Sequence, residues 1–122
     1  MAKILLVDDD KDFVEINKTL LEKDKHTVVF AHNPKDGLAL LKKEKPDLLV
    51  LDVMMEEPDD GFAMAQQIRQ DGNKIPIIML TSINKVMNLK FGKDKDMVPV
   101  NEFFEKPIPA DKLREAVKKY VK

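Results

Sequence analysis

Lys3-Ile4-Leu5-Leu6-Val7-Asp8-Asp9-Asp10 and Leu48-Leu49-Val50-Leu51-Asp52 share one form, a short apolar run closed by carboxylates. A run that is apolar at successive positions, with no alternation, marks a parallel strand whose sheet is covered by helices on both faces. Thr27–Ala31, Ile75–Leu80 and Glu102–Glu105 are three further strand candidates of similar length. Carboxylates at the mouths of buried strands are costly. At an effective dielectric of ~20, two of them ~5 Å apart repel by roughly 3 kcal/mol. Three in one pocket therefore call for a cation, a nearby Lys or a shifted pKa, and a hard-metal site is the first functional expectation.

Working outward, the segments between these runs carry helical periodicity. Phe13, Ile16, Leu20 and Leu21 recur at three- and four-residue spacing, as do Leu38, Leu40 and Leu41, then Phe62, Ala65 and Ile68, then Leu113, Ala116, Val117 and Tyr120. Asn33 before Pro34 is an N-cap followed by proline in the first helical turn. Pro46 bars continuation of the helix before it, and Asp71-Gly72-Asn73 ends the third. Strand and helix alternate five times, which predicts an α/β fold: a (βα)5 doubly wound, five-stranded parallel sheet, flavodoxin-like, with helices in layers on both faces. In such sheets ligands bind beyond the carboxyl ends of the strands, where the strand order reverses. Asp8, Asp9 and Asp52 all stand at carboxyl ends.

Composition narrows the function. The 122 residues fit one domain, expected over 1–122, with a core large enough to need no disulfide. The 21 basic and 22 acidic residues are mixed along the chain and give a net charge of -1, so no basic stripe offers itself to nucleic acid. Cysteine is absent, which removes thiolate metal sites and cysteine nucleophiles. No apolar run approaches the ~20 residues of a membrane span, and Met1-Ala2-Lys3 leads straight into a strand without a signal-peptide core. A cytoplasmic protein with no membrane association is expected.

Two more residues complete a set. Thr81 directly follows Ile77-Ile78-Met79-Leu80, and Lys106, followed by Pro107, directly follows Phe103-Phe104-Glu105. An acidic pair after the first strand, Asp after the third, Thr after the fourth and Lys-Pro after the fifth resemble the response-regulator receiver domain of two-component signalling, over essentially the whole chain. The resemblance implies that Asp52 is the phosphoacceptor and that Asp8 and Asp9 hold Mg2+, directly or through water, together with Asp52 and the Met54 backbone carbonyl. It implies that Thr81 and Lys106 bind the phosphoryl oxygens and that Phe103 is a switch aromatic that turns inward as Thr81 moves. The implied partners are a histidine kinase or histidine phosphotransfer protein as donor and a downstream protein target, with the chain a monomer or weak dimer. The domain would be a phosphoacceptor that promotes only its own phosphorylation and dephosphorylation. Coordination chemistry is consistent with those roles, because Mg2+ takes octahedral oxygen ligands, keeps several waters and is held by one or two carboxylates plus phosphate.

Taken singly, these residues read differently. Asp10 is an N-cap or first-turn acid of the first helix and stays out of the site. His26 and His32, at the two ends of the second strand, read as ordinary polar residues and are assigned nothing. The loop Val53-Met54-Met55-Glu56-Glu57-Pro58-Asp59-Asp60-Gly61 carries one residue and two acids more than the family's usual turn. The stretch from Ser82 to Asn101 departs further, and no family dimer or output partner is carried over through it. Two rival chemistries fail on single positions. An aspartyl-phosphate phosphatase resembles a pattern with a second Asp two residues after the nucleophile, where this chain has Met54, which transfers no proton. A flavin or dinucleotide site needs a Gly- or Ser/Thr-rich phosphate loop after the first strand, where three aspartates stand. The remaining alternative is a receiver-fold protein-interaction module that works without phosphorylation.

Overall fold

Strand β1 (Lys3–Val7) is buried along almost its full length and β3 (Leu48–Asp52) at every position, so both lie inside a covered sheet. The computed structural model describes residues 2–52, 60–82, 100–106 and 108–121, without the side chains of 60, 62, 81, 82, 105 and 106. With β2 (Thr27–Ala31), β4 (Ile77–Ser82) and β5 (Glu102–Lys106), the strands form one five-stranded sheet in the order β2-β1-β3-β4-β5. All four pairings are parallel, with registers such as Val7↔Ala31, Val7↔Leu51 and Leu51↔Met79. The order runs outward in one direction from β1 to β2 and in the other from β3 to β5. The carboxyl ends of β1 and β3 therefore flank the switch point.

Helices α1 (Lys11–Lys23), α2 (Pro34–Glu44), α3 (Asp60–Gln70) and α4 (Ala110–Tyr120) are those of the described residues. Leu41 of α2 and Met64, Ala65 and Ile68 of α3 bury against Leu5, Val7, Leu49, Leu51, Ile77 and Met79 on one face. Val14 and Leu21 of α1 and Leu113, Ala116 and Val117 of α4 bury against Ile4, Leu6, Val50, Ile78 and Leu80 on the other. Successive residues of each strand thus feed opposite cores, which is why the runs are apolar throughout. The expected three-layer architecture is present. Of the divergent stretch from Ser82 to Asn101, residues 83–99 lie outside the described residues, and Ser82 ends β4.

Three local expectations are corrected. Ile16 is 66% exposed, and the buried stripe of α1 is Val14, Asn17 and Leu21. A polar residue occupies the core face because the Asn17 amide donates to the Phe13 carbonyl at 2.8 Å, which hid the true stripe from a count of apolar residues. β4 begins at Ile77 rather than Ile75, since Pro76 has no N–H to enter the ladder; its carbonyl still accepts from the Leu49 N–H. β3 and β5 each run one residue further than expected, to Asp52 and Lys106.

Helix ends follow their residues. Asn33 caps α2 by accepting the Asp36 N–H at 2.8 Å, with Pro34 in the first turn. α3 stops at Gly72 (φ 83°), where the Gly72 N–H donates to the Arg69 carbonyl and the Asn73 N–H to the Ile68 carbonyl. Gly37 answers to close approach instead: a Cβ there would stand 2.9 Å from Val7 Cγ2 and 3.0 Å from Met64 Cε. α2 therefore rests directly on the strand that leads into Asp8.

Two predictions follow from this frame. Gly37→Ala is expected to destabilise by about 1 kcal/mol in urea unfolding, because an overpacking cost of roughly 1–3 kcal/mol outweighs the ~1 kcal/mol helical advantage of Ala; a more stable variant would show that the contact with Val7 relaxes freely. The second concerns His26, which is buried and whose Nδ1 accepts the Ala2 N–H at 3.1 Å. Burial holds its imidazole below the ordinary histidine value. The unfolded chain then binds the extra proton first, so stability is full above about pH 6.5 and falls as pH drops from there through the lower folded value. His26→Asn retains an acceptor and should flatten that acid limb of the urea midpoint, whereas an unchanged limb would remove His26 as its source.

Candidate functional site

Because parallel strands alternate faces, Asp8 and Asp52 follow Leu6 and Val50 onto the α1/α4 side of the sheet, one step beyond the Val7↔Leu51 pair. Both carboxylates are buried, Asp8 at 2% and Asp52 at 6% exposure, while Asp9 is exposed. One oxygen from each of Asp8, Asp9 and Asp52 lies within 4.8 Å of the others. The structure thus brings Asp52 to Asp8 and Asp9, from which the sequence separates it by more than forty positions.

The turn after β1 is held by backbone bonds. The Asp8 N–H donates to the Ala31 carbonyl at 3.1 Å, and the Asp10 N–H donates to Asp8 Oδ1 at 2.9 Å. Asp10 directs its own carboxylate to α1, accepting the Asp12 and Phe13 N–H groups at 3.1 and 3.2 Å. It is the N-cap expected of it, set where the helix dipole favours negative charge. With Asp10 so occupied, the inward cluster is left to Asp8, Asp9 and Asp52.

The other expected site residues differ in what can be said of them. Backbone register puts Thr81 opposite Glu105 and Ser82 opposite Lys106, one and two steps past the Asp52↔Leu80 pair, at the same edge of the sheet as the acidic cluster. The side chains of Thr81 and Lys106 lie outside the described part, and so does the whole of Met54. Phe103 sits on β5 opposite Met79 and is half-buried against the α2/α3 core. A residue set aside in the sequence also reaches the site: His32 Nδ1 lies 3.0 Å from the Asp8 carbonyl oxygen. Its sole sequence signal was its place after β2, and only the strand order shows that β2 lies beside β1.

Chemically, three close hard-oxygen donors of like charge suit a small divalent cation, and two of them lie where water cannot screen their repulsion. Exposed Asp9 gives the site a side that is open to solvent.

Comparison with known proteins agrees with that geometry. A family model described as the response regulator receiver domain matches residues 4–118. Protein PilH of Pseudomonas aeruginosa is 31% identical over 119 residues, covering 96% of this chain and 95% of that protein. The alkaline phosphatase synthesis transcriptional regulatory protein PhoP of Bacillus subtilis is 38% identical over 99 residues, 78% of this chain, which spans 41% of that protein's length. Among solved structures, the BeF3-activated N-terminal receiver domain of RstA from Klebsiella pneumoniae superposes with a TM-score of 0.82 at 25% identity, covering 97% of each chain.

The clustered charges predict a stability response. In EDTA, Asp9→Asn should raise the unfolding free energy by about 1 kcal/mol, since exposed Asp9 feels its neighbours through a water-like dielectric. Added Mg2+ should raise the melting temperature of the unmodified chain and have a smaller effect on the variant. A variant that melts lower than its parent in EDTA would mean that Asp9 is stabilised by something stronger than this repulsion.

Proposed function

The chain belongs to the response regulator receiver family and is a signalling domain of two-component systems, and from that premise we propose that it accepts a phosphoryl group on Asp52 from a partner histidine kinase or histidine phosphotransfer protein. The observation that carries this reading is the convergence of the Asp8, Asp9 and Asp52 carboxylates within 4.8 Å at the switch point. In the transfer, a carboxylate oxygen of Asp52 forms a bond to phosphorus as the bond from phosphorus to the donor's histidine nitrogen breaks, the electron pair leaving with the imidazole. Water later attacks the same phosphorus and returns Asp52 and inorganic phosphate. No proton has to move through Asp52, which acts as nucleophile.

Asp8 and Asp9, with Asp52 and the Met54 carbonyl, would hold Mg2+, whose charge offsets that of the carboxylates and the phosphoryl oxygens when it is bound. Asp8 is tied down by the Ala31 carbonyl and the Asp10 N–H, so its carboxylate meets the ion with little reorganisation. The Thr81 hydroxyl and Lys106 ammonium would bind the remaining phosphoryl oxygens, a role supported by their backbone positions at the strand ends. Phe103 would then turn inward from its half-buried place and shift the population toward a form that binds a downstream protein. That the similar RstA receiver domain is BeF3-activated supports an activated form of this chain as well. A module that signals without phosphorylation is not favoured, because the acidic constellation serves no purpose in docking alone.

Intact mass after incubation with acetyl phosphate is the test. A single phosphoryl adduct is expected that needs Mg2+ and is lost in Asp52→Asn. An adduct that persists in Asp52→Asn would move the acceptor elsewhere, and no adduct under conditions where Mg2+ binds would leave the phosphorylation-independent module as the better reading.

A further inference from the structure

His32 is one residue past the carboxyl end of β2, and its ring is fixed from two sides. Nδ1 lies 3.0 Å from the Asp8 backbone oxygen. A carbonyl only accepts, so this nitrogen carries the proton and donates. The ring also lies tilted at 55° against Phe30, with centroids 5.4 Å apart. Phe30 is 43% exposed, a large hydrophobic that no core accounts for. Holding the imidazole gives it a purpose.

The Asp8 carbonyl belongs to the peptide that joins Asp8 to Asp9. With the Asp8 N–H bonded to the Ala31 carbonyl, the end of β2 grips Asp8 through both of its backbone polar groups. The bond from Asp10 to Asp8 Oδ1 fixes the side chain. The orientation of the Asp8–Asp9 peptide decides where the Asp9 carboxylate stands relative to Asp8 and Asp52. Left to itself, that peptide would turn to move three like charges apart. We propose that His32 is a positioning residue for the acidic site: its Nδ1–H, steadied by Phe30, locks the peptide so that Asp9 stays converged on Asp8 and Asp52 before any cation arrives. This role rests on the Mg2+ site proposed above. It acts by preorganisation, and its loss should appear as weaker cation affinity.

Mg2+ titration of the full chain, followed by backbone amide NMR shifts, tests it with three variants. His32→Ala should weaken Mg2+ binding by about tenfold, the low end of what partners of metal ligands contribute. His32→Asn places an amide N–H where Nδ1–H was and should restore affinity to within about twofold of the parent. Asn33→Ala, which removes the α2 cap, should lower the melting temperature without moving the Mg2+ affinity, separating a looser β2–α2 turn from a lost donor. Parental affinity in His32→Ala, or a loss that Asn does not restore, would overturn the positioning role alone. A parent chain with no saturable Mg2+ response would remove the cation site and the positioning role together.

Discussion

Everything at the functional edge of this protein depends on one electrostatic constraint, the enforced proximity of Asp8, Asp9 and Asp52. Their oxygens lie within 4.8 Å of one another, with two of the three carboxylates buried. A free chain would disperse such charges. Here the parallel register of β1 and β3 fixes Asp8 and Asp52 on adjacent strands and the same face, and the burial of Leu5, Leu6, Leu49 and Val50 holds that register. Hydrophobic burial on both faces of the sheet thus holds together three carboxylates whose proximity favours a cation.

Stability and chemistry are divided between the two ends of the sheet. At the amino end, Arg69 donates to the Ile75 carbonyl at 2.7 Å, the Asn73 carbonyl at 3.0 Å and Asn101 Oδ1 at 3.1 Å, and Asn101 Oδ1 also accepts the Ile77 N–H. These bonds anchor the starts of β4 and β5. A two-pronged pair, Arg114 Nε to Asp24 Oδ2 at 2.8 Å and Nη2 to Oδ1 at 2.6 Å, ties α4 to the end of α1 and holds the Asp24 carboxyl below its ordinary range. The carboxyl end keeps its acids together by backbone bonds. Events at one edge can then proceed without disturbing the contacts that define the fold at the other.

Legibility tracked how local each signal was. The strands could be read because a buried parallel strand is apolar at successive positions, and their ends shifted only where proline or continued pairing intervened, as at Pro76 and Ser82. The caps Asp10 and Asn33 were legible because capping is a contact over two or three residues. The buried face of α1 was misread because Asn17 satisfies its amide within the helix and so can be buried, while apolar Ile16 is left exposed. His26 and His32 carry no local signal for a different physical reason: each bonds a residue 24 positions away, Ala2 and Asp8.

By itself the sequence determined the alternation of strands and helices, the carboxylates and hydroxyl that end the strands, and the kind of chemistry that hard-oxygen donors permit, since all of these are properties of residue type and short-range spacing. Tertiary structure alone decided the order β2-β1-β3-β4-β5, which face each strand end presents, and hence that Asp8, Asp9 and Asp52 meet and that His32 grips the peptide between two of them. Strand order is set by which apolar surfaces fit together across the whole chain, and that competition leaves no mark at any single position.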